Sequence, residues 1–103
     1  MAKIGIYGGS FNPIHFGHTN LAKWTIQHTD LDAIWLMVTP NNPLKQQSIL
    51  ADENERLRQA QRAVIDIQGV EVSDFEFFLP RPSYTANTLK ELAKAYPEHQ
   101  FAL

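Results

Sequence analysis

Short apolar runs closed by glycine, proline or asparagine alternate along this chain with longer stretches of helical spacing. Lys3 to Tyr7 is a continuous apolar run ended by the pair Gly8-Gly9, the pattern of a parallel strand buried on both faces. From about Phe16 to His28 the positions Leu21, Ala22, Thr25 and Ile26 recur at helical spacing, and Thr29-Asp30 supplies a polar stop. Ala33 to Val38 is again apolar and empties into the loop Thr39-Pro40-Asn41-Asn42-Pro43. Asp52-x-x-Glu55 has the form of a helix N-cap with a reaching-back glutamate. Leu57, Ala60, Ala63, Val64 and Ile67 then mark the buried face of a helix that stops at Gly69, with Arg56, Arg58 and Arg62 on its solvated face.

Val70 and Val72 alternate with polar residues as a third strand, and Phe75, Phe77 and Phe78 follow as expected buried packing. The last helix is expected to begin near Tyr84 or Thr85, to bury Leu89, Leu92 and Ala93, and to end at Tyr96-Pro97. Gln100 to Leu103 starts a fourth strand. Strands alternating with helices imply an α/β fold, a parallel sheet with helices on both faces connected in the right-handed sense.

At 103 residues, 44% hydrophobic and 19% charged, the chain suits one domain, 1–103, around one core. A net charge of −2 gives no broad basic field, which argues against nucleic acid or an anionic membrane as partner. Without cysteine there is no disulfide framework, thiolate zinc site or thiol nucleophile. Met1-Ala2-Lys3 leads straight into a strand, and no apolar stretch approaches the roughly 18 residues of a membrane span, so a cytoplasmic protein is expected. The chain ends inside an apolar run, which suggests an incomplete sheet: the N-terminal part of a longer domain, or a homo-oligomer joined through its open edge.

The segment Gly8-Gly9-Ser10-Phe11-Asn12-Pro13-Ile14-His15-Phe16-Gly17-His18 lies between the first strand and the first helix and has the chemistry of a phosphate-handling turn. Glycines let backbone N–H groups approach an anion, a helix amino terminus favours negative charge, and histidines three apart share one helix face. Zinc is a weaker reading: two histidines without a cysteine or an H-E-x-x-H pattern leave a third ligand missing, so no metal-ligating residue is assigned. A dinucleotide-binding oxidoreductase is disfavoured because Gly5, Gly8 and Gly9 do not form G-x-G-x-x-G.

The spacing G-x-F-x-P-x-H-x-G-H, filled by Gly9, Phe11, Pro13, His15, Gly17 and His18, resembles the signature of the nucleotidyltransferase superfamily that also holds class I aminoacyl-tRNA synthetases. The wider G-G-S-F-N-P-I-H narrows the likeness to bacterial nicotinate (nicotinamide) nucleotide adenylyltransferases. Ser83-Tyr84-Thr85-Ala86-Asn87-Thr88-Leu89 and Pro40-Asn41-Asn42-Pro43-Leu44-Lys45 are similar to two further segments of that family, so the likeness spans the chain in register. Ser10 and Asn12 stand where threonine and aspartate are commoner, and family members are roughly twice as long.

The resemblance implies a Rossmann-like domain that transfers the adenylyl group of ATP to nicotinate mononucleotide, releasing pyrophosphate and forming the dinucleotide precursor of NAD. It assigns catalytic roles to His15, His18 and Lys45, and ATP contacts to Gly8, Gly9, Ser10, Phe11, His15, Gly17 and His18. Lys45, Tyr84 and Thr85 would meet the mononucleotide, and Mg²⁺ would be carried by the ATP phosphates. Within the family, Gly17 would let adenosine approach the helix, and phosphates would favour protonated imidazoles. Other outcomes remain open: a cytidylyltransferase or another nucleotidyltransferase, or an inactive fragment that only binds nucleotide or self-associates.

Overall fold

The computed structural model describes residues 2–11, 14–40, 53–79 and 85–102, apart from the side chain of Thr85. Four strands, β1 (Ala2–Gly9), β2 (Ala33–Val38), β3 (Val70–Ser73) and β4 (His99–Ala102), form one parallel sheet in the order β3-β2-β1-β4. The connecting helices are α1 (Phe16–His28), α2 (Glu53–Val64) and α3 (Thr85–Ala95), with a single 3₁₀ turn at Phe75–Phe78. No helix among the described residues is long and apolar enough to cross a membrane.

β2 is apolar throughout because it is covered on both faces. Ile34, Leu36 and Val38 pack with Ala22 of α1, Ala60 and Val64 of α2, Val70 and Phe11. Met37 points the opposite way, to Ile4, Ile6 and Leu92 of α3, with Trp35, Phe75 and Phe101 around them. Successive residues of a strand face opposite sides, so this division places α1 and α2 on one face and α3 on the other, as expected for the α/β class.

Several local expectations change. The glycine pair does not end β1: Gly8 pairs with Met37 and Gly9 with Val38, because β2 continues alongside and offers both a ladder partner. The second helix stops at Val64, five residues before Gly69, and Ile67 packs from the turn that follows. Gly69 has φ of +86°, a left-handed conformation that favours glycine. Phe75 and Phe77 pack on opposite faces of the sheet, whereas Phe78 is 78% exposed. One 3₁₀ turn spreads its side chains about 120° apart, so three rings cannot share a face. Leu21, Ala63 and Ala93 are exposed, and Trp24 is exposed and stacked on His28 at 4.5 Å.

Arg56 departs furthest from expectation. It is 1% exposed, not solvated, and shares the row Arg56, Ala60, Val64, spaced by four, that α2 turns toward the sheet. Arg58 keeps the expected surface role, bonded to Glu55 at 2.6 Å. The Asp52 cap, the 41–45 loop and Pro80-Arg81-Pro82 lie outside the described residues.

Candidate functional site

In a sheet of order β3-β2-β1-β4, the chain leaves β1 for β2 on one side and returns to β4 on the other, so the order reverses at β1. The crevice beyond the carboxyl end of such a strand is where ligands of open α/β sheets bind. Here a crevice of about 430 Å³ opens there, lined by Tyr7, Gly8, Gly9, Ser10, Phe11, His15 and His18. Six of those seven are ATP-contact residues expected from sequence, and Gly17, the remaining one, lies against the His15 ring.

The helix start explains the histidine spacing. His15 is the N-cap of α1, and its Nδ1 accepts the Gly17 N–H at 3.0 Å. His18 sits at the third helical position, and its Nδ1 accepts the His15 N–H at 3.1 Å. Two imidazoles thus do what a serine and a glutamate do in an ordinary capping box, each satisfying a backbone donor of the first turn. The reciprocal bonds bring the ring centroids to 3.9 Å.

This geometry also fixes the tautomer. A neutral imidazole whose Nδ1 accepts a hydrogen bond carries its proton on Nε2, so both rings keep an Nε2–H donor on the edge away from the cap. Neutral rings therefore already serve an anion. Burial, and secondarily the His15 imidazole, hold the His18 imidazole below its ordinary value of 6.5. In the ligand-free protein the bias is away from the protonated form that the family resemblance implies for the loaded site.

The sign of the pH dependence follows. A group with a lowered folded value contributes stability that is present above pH 6.5 and is lost as pH falls through the folded value. Proton NMR of the ligand-free chain is expected to give His18 a midpoint below 6.5, with faster exchange of the His15 amide once His18 is protonated. A midpoint at or above 6.5 would contradict the cap.

Phe11 forms the floor of the crevice. Its ring is 2% exposed and stands edge-on to His18 at 4.9 Å and to Tyr7 at 5.6 Å. Its backbone has φ of +49°, a left-handed conformation that costs a bulky residue about 1–2 kcal/mol.

Two glycines have separate reasons to be glycine. A Cβ on Gly17 would stand 2.7 Å from His15 Cε1 and 3.0 Å from Nδ1, so the missing side chain makes room for the imidazole. A Cβ on Gly8 would meet nothing within 4 Å, and Gly8 lines the crevice. Gly8→Ala is therefore expected to leave the melting temperature unchanged or slightly raised while weakening ATP roughly tenfold, equivalent to about 1.4 kcal/mol. Calorimetry beside a thermal melt checks this, and unchanged affinity would remove Gly8 from the site.

Arg56 is the site residue that sequence reasoning missed. Its Nη1 donates to the Ser10 carbonyl at 2.7 Å and to the Thr39 carbonyl at 2.8 Å, joining the two chain segments that leave β1 and β2. The available signal was its spacing of four from Ala60 and eight from Val64. On the other side of the sheet, Thr88 is buried and its hydroxyl donates to Glu76 at 2.7 Å, fastening α3 to the 3₁₀ turn. Thr85 begins α3, while its side chain, Tyr84 and Lys45 lie outside the described residues. Among the described residues no group of three His, Cys, Asp or Glu side chains is placed to hold a metal ion.

The chain is 48% identical over 98% of its length to a probable nicotinate-nucleotide adenylyltransferase of Flavobacterium johnsoniae, covering 52% of that protein. It is 50% identical to the protein of the same name from Bacteroides fragilis, covering 98% of this chain and 50% of the relative. The chain thus spans about half the length of the curated relatives it matches. The Plasmodium falciparum nicotinic acid mononucleotide adenylyltransferase solved with NaAD superposes with a TM-score of 0.78 at 20% identity, covering 98% of this chain and 50% of that one. The sequence profile of the cytidylyltransferase-like family matches residues 6–97, and this chain belongs to that family.

Proposed function

We propose that the chain carries the ATP-binding half of a nicotinate-nucleotide adenylyltransferase, which joins ATP to nicotinate mononucleotide in the cytoplasm on the route to NAD. The reciprocally capped histidine pair lining the β1 crevice carries this reading, because each ring spends Nδ1 on the backbone and leaves its Nε2 edge outside the cap, where it can meet a triphosphate. The relatives bearing this name, of which this chain spans about half, support the choice of substrates.

In the proposed reaction a phosphate oxygen of the mononucleotide attacks the α-phosphorus of ATP. The bond from the α-phosphorus to the α,β-bridging oxygen breaks, and pyrophosphate leaves with that electron pair. The attacking oxygen is already ionised at neutral pH, so no strong base is required and catalysis reduces to alignment and charge stabilisation. His15 and His18 would donate to phosphate oxygens, with His18 nearest the developing charge. Amides of Ser10 and Phe11 would add neutral donors.

Mg²⁺ would enter with ATP, where it offsets phosphate charge. Among the described residues the crevice lining contains no carboxylate, and its donors fit phosphate oxygens better than a cation, so the metal is assigned to the nucleotide. Lys45, Tyr84 and Thr85 are proposed mononucleotide contacts on the family resemblance.

Titration with Mg-ATP by calorimetry, followed by a pyrophosphate-release assay with nicotinate mononucleotide, tests the proposal. Saturable ATP binding with release is the expected result, and absence of ATP binding would overturn it. Binding without release would assign the chain nucleotide capture alone.

A further inference from the structure

We infer that Arg56 is a positioning residue for the anion-binding turn, acting through the Ser10–Phe11 peptide; the inference rests on the nucleotide-binding reading above. Arg56 is 1% exposed, and Nη1 spends both of its hydrogens on backbone carbonyls, Ser10 at 2.7 Å and Thr39 at 2.8 Å. Ser10 follows the last residue of β1, and Thr39 the last residue of β2. The Thr39 N–H also donates to the Gly9 carbonyl at 2.9 Å, so one guanidinium nitrogen and one amide fix both strand exits together.

In a trans peptide the carbonyl and the N–H of the next residue point in opposite directions. Holding the Ser10 carbonyl inward on Arg56 therefore turns the Phe11 N–H toward the crevice that Ser10 and Phe11 line. The alternative orientation is close at hand, because Phe11 already occupies a left-handed conformation. Rotating that one peptide would replace an N–H with a carbonyl oxygen facing the phosphates, exchanging attraction for repulsion. Arg56 selects the attractive orientation without touching the ligand. The geometry requires a planar donor that reaches two carbonyls from a helix, which a lysine ammonium on a longer-swinging stem does less well.

The test compares the wild-type chain, Arg56→Gln and a control, Val64→Ala, which removes buried volume from the same face of α2. Thermal melts, Mg-ATP calorimetry and the Phe11 amide resonance are measured on each. Arg56→Gln is expected to weaken Mg-ATP roughly tenfold or more and to abolish the nucleotide-dependent shift of the Phe11 amide. Val64→Ala is expected to lower the melting temperature while keeping wild-type affinity and the amide shift. If Arg56→Gln does not fold, Arg56→Lys enters the same comparison with the same expected direction. An Arg56 variant that folds and binds Mg-ATP within twofold of wild type would overturn the role of Arg56 alone. Failure of the wild-type chain to bind Mg-ATP would overturn the functional reading and this inference with it.

Discussion

Replacing His18 with alanine is expected to slow pyrophosphate release roughly 100-fold while leaving ATP affinity nearly unchanged, because a donor aimed at developing charge contributes most in the transition state. The same substitution also removes the acceptor for the His15 N–H, and a lost cap costs about 1 kcal/mol of helix stability. Two replacements separate the effects. Asparagine can place an oxygen near the position of Nδ1 and keep the cap, but it has no group at Nε2. Glutamine can extend an N–H toward the Nε2 position but does not reproduce the cap. His18→Asn should therefore melt like the wild type and turn over as slowly as the alanine form. Wild-type turnover by His18→Asn would remove the Nε2–H from the reaction.

Gly17→Ala is expected to weaken ATP binding by ten- to a hundredfold with almost no change in melting temperature. Two local effects of similar size oppose each other in the fold. Alanine favours a helix over glycine by about 1 kcal/mol. The new Cβ, 2.7 Å from His15 Cε1, drives the imidazole off the Gly17 N–H and forfeits a cap of about the same value. Nothing offsets the second loss: the displaced ring no longer directs its Nε2–H into the crevice. Calorimetry with Mg-ATP and the ring resonances of His15 read the outcome. Retained affinity with a shifted His15 ring would show that His15 contributes little to the nucleotide.

The spacing of His15 and His18 was legible because its cause is local. The two stand at the N-cap and third position of one helix, and sequence separation alone puts them within reach of each other's backbone. β2 was legible to the residue for a related reason, since coverage on both faces leaves an uninterrupted apolar run. Arg56 was read wrongly because its charge outweighed its spacing: arginine is rarely buried, and the carbonyls that Nη1 bonds belong to residues 46 and 17 positions away. The end of β1 failed likewise, because glycine's local tendency to break a strand yields when Met37 and Val38 extend the ladder beside it. Thr88 sits in the stretch likened to a substrate segment, yet it is spent on Glu76 within the protein, a pairing that no local pattern announces.

At position 11, torsional preference and tertiary packing pull in opposite directions, and their sizes decide the result. A left-handed backbone costs the phenylalanine about 1–2 kcal/mol, whereas truncating a fully enclosed aromatic ring costs roughly 3–5 kcal/mol. The ring prevails, and the imidazole of His18 rests on it. A randomised library at this codon, sorted for retention of nucleotide, should return aromatic letters and discard glycine, although glycine is what the dihedral angle by itself would choose.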